Sequence, residues 1–232
     1  VVEEFAKFDG AAPGLSLQND VVAPYFVHLA NDEQKKRWMP GIATGETILA
    51  VAMTEPGAGS DLAGIKTSAK LEGDHYVLNG NKTFISSGIN SDLVVVVCRT
   101  NPDPEAGHKA FSLLVVERGM EGFERGRKLD KMGLKAQDTA ELHFNDVRVP
   151  VENLLGQEGM GFYHLMQNLP SERLSIGIGA IAGARAIFDE TLQYTKDRKA
   201  FGRPIGTFQA NRFSLAEMAT ELDIAEVYID RC

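Results

Sequence analysis

Cysteine is scarce in this chain: Cys98 and Cys232 are the only two in 232 residues. Two thiols give no disulfide framework, which points to a reducing compartment, and Cys98 closes a valine run where a buried thiol is expected. Long apolar runs are absent too, and none approaches the roughly 18 residues that would suggest a bilayer span. No secretory leader is visible. Positive charge is in short supply, with 24 Lys and Arg against 32 Asp and Glu and a net charge of -8. A nucleic-acid partner calls for a basic face, so none is expected, although a local basic pocket for a phosphorylated ligand is compatible with this balance. No internal repeat or low-complexity tract interrupts the sequence. A Walker loop requires Gly-Lys-Ser/Thr, which is missing. A dinucleotide fingerprint requires G-x-G-x-x-G, and Leu62 stands where its third glycine belongs.

What remains is a chain of ordinary globular composition, long enough for one or two cores. Its texture changes twice, near residues 48 and 156. Residues 1–47 read as helical and loop-rich: 21–29 form a core helix, and 32–40 a surface helix capped by Asp32 and stopped by Pro40. Residues 48–155 read as strands. Residues 67–71 and 75–78 alternate around a Gly73-Asp74 turn, and Asn79-Gly80 signals another hairpin before 82–86. The apolar runs 93–98 and 111–116 predict strands covered on both faces. The last strand region, 142–149, ends at Pro150. This spacing predicts an antiparallel barrel or sandwich. Residues 156–232 read as helical, with Pro170 interrupting the pattern as a kink or in the first turn of a new helix. A small-residue stretch, Gly177 to Ala184, allows close approach by another helix or a ligand. Gly202 and Pro204 end that helix, and Thr207 is the expected N-cap of the last one.

One stretch stands out: Ala52-Met53-Thr54-Glu55-Pro56-Gly57-Ala58-Gly59-Ser60-Asp61-Leu62-Ala63-Gly64. It follows an apolar strand and breaks into a Pro/Gly loop whose backbone can come close to a ligand and whose free N–H groups can hold an anion. Thr54 and Ser60 add hydroxyls at its two ends. The full string resembles the signature loop of the acyl-CoA dehydrogenases, flavoenzymes that desaturate acyl thioesters. Three later segments repeat the resemblance in order: Asn81-Lys82-Thr83-Phe84-Ile85-Ser86, Ser171-Glu172-Arg173-Leu174 and Asp197-Arg198-Lys199-Ala200-Phe201-Gly202. The similarity extends over essentially the whole chain.

It implies an α+β fold with the end of an N-terminal helical domain (1–47), a middle β-barrel domain (48–155) and the start of a C-terminal helical domain (156–232), the chain being shorter than family members at both ends. It also implies FAD as cofactor and no metal. Met53, Thr54, Gly59, Ser60, Phe84, Ile85 and Ser86 fall at flavin-lining positions. The family's aromatic there is often Trp, so Phe84 departs from it slightly, and Ser86 occupies the place of the hydroxyl near flavin N5. Arg198, Phe201 and Gln209 match residues that reach a neighbouring subunit's FAD, with Arg198 suited to pyrophosphate. Ser60, His108, Lys109, Tyr163, Pro170, Ser171 and Arg173 match the acyl-CoA channel.

Most family members take their catalytic glutamate from the late C-terminal region. The long-chain and isovaleryl branches place it directly before Arg in a Glu-Arg-Leu string, as Glu172 stands here, and the preceding Pro170 favours the long-chain form. Read without the family, Glu172 is an acid in a first helical turn, Phe84 is a strand residue facing the core, and Arg198 is a helix C-terminal cation.

The function implied is α,β-dehydrogenation of a long-chain acyl-CoA to the trans-2-enoyl-CoA, with electrons passed to an electron-transfer flavoprotein. A homotetramer is implied, in the cytoplasm of a bacterium or the mitochondrial matrix of a eukaryote. The rivals are a branched-chain dehydrogenase, a flavin oxidase or monooxygenase on the same fold, and a non-catalytic acyl-CoA-binding scaffold.

Overall fold

The computed structural model describes residues 4–5 and 14–232. Residues 1–3 and 6–13, part of the expected helical stretch, lie outside the described residues. Two compact units emerge, Pro13–Pro170 and one built on Ser171–Cys232.

In the first unit a π-helical stretch, Leu17–Val22, runs into α1 (Ala23–Leu29), followed by α2 (Asp32–Thr44). Asn31, rather than Asp32, caps α2. Its side chain accepts the Gln34 amide while Gln34 accepts the Asn31 amide, both at 2.9 Å, a reciprocal capping box. Pro40 does not stop the helix. It sits inside on the exposed face, where the Lys36 carbonyl that loses its donor can turn to water. The helix ends at Gly45 in the left-handed region.

Eight strands follow: β1 (Leu49–Ala52), β2 (Ser68–Glu72), β3 (His75–Ser86), β4 (Leu93–Arg99), β5 (Phe111–Glu117), β6 (Phe123–Lys128), β7 (Thr139–Pro150) and β8 (Leu154–Leu155). They form one sheet in the order β6-β7-β3-β2-β4-β5-β8, with β1 also on β4. Most pairings are antiparallel, as the sequence predicts. β1 runs parallel to β4 from Leu49↔Leu93 to Ala52↔Val96, and β2 meets the end of β4 in parallel at Ser68↔Arg99. The chain therefore leaves the edge of β4 after Ala52 and returns to it at Ser68. The Gly-rich stretch is the excursion between.

β4 and β5 are buried on both faces, because alternate residues enter different cores. Leu93, Val95, Val97, Leu113 and Val115 pack with Tyr25, Phe26, Trp38 and Ile42 of the helices. Val94, Val96, Cys98, Leu114 and Val116 point into a second core with Tyr76, Leu78, Leu142, Phe144 and Val149, around which the sheet curls. Burial pushes the Cys98 thiol up to about 12, so it is a packing residue.

The sequence predicts a turn at Asn79-Gly80, yet both lie inside β3. The register on β7 slips between Leu78 and Gly80, which marks a bulge. Gly80 has φ 151, and a Cβ there would lie 2.3 Å from the Thr67 hydroxyl oxygen. The glycine serves close approach to Thr67 in a strand that continues.

The second unit contains most of α3 (Gly161–Asp197), a small hairpin of β9 (Lys199–Ala200) and β10 (Arg203–Pro204), and α4 (Gln209–Arg231). α3 passes through Pro170 without ending, so no new helix starts there. The proline takes away only the amide that would serve the Met166 carbonyl. The cap expected at Thr207 is also absent: its hydroxyl donates to the Pro204 carbonyl at 2.7 Å, and α4 begins after Phe208. Between α3 and α4, Gly177 makes room for Ile229, whose Cδ1 would lie 3.2 Å from an added Cβ. The Arg185 guanidinium donates to the Glu226 carboxylate at 2.6 and 2.9 Å and to Asp223 at 2.5 Å.

Candidate functional site

The excursion after β1 is pinned to β3 residue by residue. The Lys82 ammonium donates to the Met53 carbonyl at 2.8 Å, and the Thr83 amide donates to the Thr54 carbonyl at 3.0 Å. Glu55 and Ala58 then exchange backbone bonds of 2.8 and 3.2 Å, closing a tight turn with Pro56 and Gly57 at its corner. The Glu55 side chain points inward. Its carboxylate accepts the Lys66 and Thr67 amides at 2.8 and 2.9 Å and the Lys82 ammonium at 3.0 Å. The Lys82 side chain is fully buried. Burial alone would raise the Glu55 carboxyl, but Thr67, the Lys66 amide and the Lys82 ammonium together hold it below its ordinary value. Burial pushes Lys82 down despite Glu55 beside it. Further along, the Arg99 guanidinium donates to the carbonyls of Ile65 and Ala63 at 2.8 and 2.7 Å, strapping the far end of the excursion.

Gly59 and Ser60 lie exposed on this pinned loop. A Cβ built on Gly57 or Gly59 meets no atom of the described residues within 4 Å. Packing inside the chain therefore does not require glycine at these places.

Phe84 is not in the core, where strand alternation predicts it. Pairing with β7 passes from Lys82↔Leu142 to Ile85↔Ala140, so Thr83 and Phe84 together oppose Glu141 in a bulge. Phe84 has φ 59, and two-thirds of its surface is exposed. An aromatic residue in the left-handed region persists only where its surroundings fix it, and such sites cluster at ligand clamps. Here Lys82 is anchored on one side and Ile85 is buried in the second core on the other. Ile85 thus presents only its backbone to anything outside. Ser86 is half-buried at the end of the strand.

A second group lies in the same unit. His108 stacks on Phe162 with ring centroids 3.9 Å apart, and Tyr163 meets Phe162 edge-on at 6.2 Å. Lys109 follows His108, and both are exposed. Phe162 thus links His108 to Tyr163, and Lys109 is the next residue in the chain after His108. The sequence reading did not single out Phe162, although an aromatic pair opening a helix was the available signal.

In the helical unit, Ser171, Glu172 and Arg173 sit in the third turn or later of α3, just past Pro170. The dipole argument for an acid holds only within the first turn, so it does not explain Glu172. Glu172 is 7% exposed, whereas Arg173, Ser171 and Pro170 are exposed. The two unlike charges therefore face different ways, as neighbours on a helix do. Arg198 follows the last residue of α3 and is exposed, with no ion-pair partner among the described residues. Phe201 forms the hairpin tip with φ 54 and 95% exposure, and Gln209 is the exposed first residue of α4. All three are displayed outward, although the Phe201 ring also meets Phe208 edge-on with centroids 6.2 Å apart.

An exposed loop with two glycines that meet nothing, beside an aromatic ring held outward, fits a ligand that combines a flat ring with groups approached by backbone. FAD has that character. Among the described residues no helix is long and apolar enough to cross a membrane.

Comparison with known proteins agrees with this geometry. The sequence matches the acyl-CoA dehydrogenase N-terminal domain over residues 1–46, the middle domain over 50–147 and the C-terminal domain over 159–232. It is 48% identical to a mitochondrial long-chain specific acyl-CoA dehydrogenase of Sus scrofa, over 100% of this chain and 54% of that protein. The fold superposes on the crystal structure of an acyl-CoA dehydrogenase from Geobacillus kaustophilus with a TM-score of 0.96 and 53% identity, covering 99% of this chain and 60% of that one. An FAD complex of PigA superposes with a TM-score of 0.93 at 27% identity, covering 99% and 60%. The chain thus spans about half the length of the curated relatives it matches. Three domain matches in the family's order, together with near-complete superposition, establish that the chain belongs to the acyl-CoA dehydrogenase family.

Proposed function

We propose that the protein is an FAD-dependent acyl-CoA dehydrogenase of the long-chain type, with Glu172 as its catalytic base. In this reading, residues 1–47, 48–155 and 156–232 belong to the N-terminal, middle and C-terminal domains. The observation that carries it is a carboxylate buried in mid-helix, inside a Ser-Glu-Arg-Leu string, where helix capping and the dipole give no reason for it.

The α-proton of a thioester is weakly acidic, so its removal needs a base kept from water, where carboxylate basicity rises. Glu172 takes that proton while the β-hydrogen departs with its electron pair, leaving the trans double bond. Bound FAD supplies the hydride acceptor. The half-buried Met53 and Thr54 and the exposed Gly59 and Ser60 would hold the cofactor through backbone and hydroxyl groups, with Phe84, the Ile85 backbone and the Ser86 hydroxyl as the groups for its ring system. His108, Lys109, Tyr163, Pro170, Ser171 and Arg173 receive the acyl-CoA. The outward Arg198, Phe201 and Gln209 serve the FAD of a neighbouring copy in a homotetramer. An electron-transfer flavoprotein takes the electrons, in the mitochondrial matrix if the source is eukaryotic and in the cytoplasm if it is bacterial.

Anaerobic titration of the full-length protein tests this reading. It should bind one FAD per chain, and a long-chain acyl-CoA should bleach the flavin faster than isovaleryl-CoA does. Colourless protein, or bound flavin that no acyl-CoA bleaches, would remove the proposal. Rapid reoxidation of the reduced flavin by oxygen would shift it to an oxidase.

A further inference from the structure

We propose that Glu55 and Lys82 are positioning residues that lock the 53–60 loop to the Phe84 bulge, so that the two segments assigned to the flavin behave as one body. The inference rests on the flavin reading above and adds two residues which that reading does not use. Three consecutive loop residues are tied to two consecutive strand residues. The Met53 carbonyl and the Glu55 carboxylate both accept the Lys82 ammonium, at 2.8 and 3.0 Å, and the Thr54 carbonyl accepts the Thr83 amide at 3.0 Å. Glu55 is held in turn by the Lys66 and Thr67 amides. The Lys82 side chain is fully buried and that of Glu55 is 7% exposed, while the loop presents Pro56, Gly57, Gly59 and Ser60 to solvent and the strand presents Phe84.

Stability does not explain the choice of side chains. An apolar pair of similar volume often holds a core as well as a buried ion pair, or better, because both ions must shed water. What the ion pair adds is register: one ammonium bonds two acceptors at once and fixes the loop's first turn against the strand. The strained backbone at Phe84 needs such over-determination, since nothing in its own side chain's burial holds it.

The test uses full-length holoenzyme and the double variant Glu55→Gln/Lys82→Met, which removes both charges and keeps most of the volume. Three quantities are read: urea unfolding, the FAD dissociation constant, and hydrogen exchange of peptides covering 53–60 and 83–86 with and without FAD. In wild type, FAD should raise the protection of both segments together. The double variant should unfold at a urea concentration close to wild type, bind FAD at least tenfold more weakly, and lose the coupling between the two segments. The single variant Glu55→Gln, whose one amide oxygen can still accept the Thr67 amide and the Lys82 ammonium while the Lys66 amide loses its acceptor, should recover part of the affinity. A stable double variant with unchanged FAD affinity and coupled protection would show the pair to be packing alone and overturn the proposal. Should the double variant not fold, the wild-type exchange decides: protection of one segment without the other overturns the clamp. Protection of neither, in a protein that binds no FAD, overturns the flavin reading along with it.

Discussion

The two units manage their apolar residues in opposite ways. In the β unit, both faces of β4 and β5 are buried, and two separate cores take their alternate residues. In the helical unit, Phe188 is the one buried hydrophobic among the described residues 171–232, while Ile176, Ile187, Ile224, Val227 and Tyr228 are each well over half exposed. The first carries its own stabilising core. The second is held chiefly by limited packing between α3 and α4 and by the Arg185 ion network, a kind of contact whose worth is modest where it meets solvent. A side chain placed on the β unit is thus positioned by its own unit, as Phe84 is. One placed on the helices depends more on whatever covers their apolar faces.

The largest effect that sharpens this contrast should come from Leu113→Ala. Leu113 is fully buried in the first core, and its truncation should cost about 2–5 kcal/mol in urea unfolding of the full-length protein. A loss below about 1 kcal/mol would mean that the core collapses around the gap and is less specific than described.

A smaller effect is expected from pH. Glu55 has a lowered value in the folded protein, so its contribution is fully present above the ordinary 4.5 and fades as pH falls below that through the folded value. Lys82 is also lowered, so the unfolded chain binds more protons as pH approaches 10.5, and stability again rises with pH in that window. Both slopes have the same sign. The Glu55→Gln/Lys82→Met variant should flatten both in pH-dependent unfolding; unchanged slopes would assign them to other groups.

The smallest effect should be that of Ile187→Ala, within about 0.5 kcal/mol if that face stays exposed. A loss as large as that of Leu113→Ala would show the face to be covered in the assembled protein, and the contrast between the units would then belong to this stretch of chain alone.

Much of this architecture was legible in the residues. The valine and leucine runs of β4 and β5 announced burial on both faces, because no charged residue interrupts 93–98 or 111–116. The Gly73-Asp74 turn was readable from composition, and the family followed from four strings in order. The errors have a common cause: local signals were outweighed by contacts distant in sequence. Asn79-Gly80 reads as a hairpin, but Thr67 presses on Gly80 and β7 carries the strand onward. Pro40 reads as a stop and Pro170 as a kink or a first-turn residue, yet each removes only one donor, and both helices continue. Phe84 reads as core because a bulge is invisible to a period of two. The knot of Glu55 and Lys82 was hidden for the same reason, as the two lie 27 positions apart. Glu172 was the opposite case. Its string was recognisable, but only the continuous helix removes the first-turn explanation.

The most direct measurement is single-turnover, anaerobic flavin reduction by Glu172→Gln in the full-length enzyme. The substitution keeps the shape of the side chain and removes its proton acceptor. FAD should stay bound, acyl-CoA should still perturb the flavin spectrum, and the reduction rate should fall by about 10²–10⁴. Glu172→Asp should lie between, since a shorter arm spoils the reacting geometry without abolishing basicity. Reduction of the Gln variant at a rate close to wild type would contradict the account and leave Glu172 as a buried helix residue with no part in proton transfer.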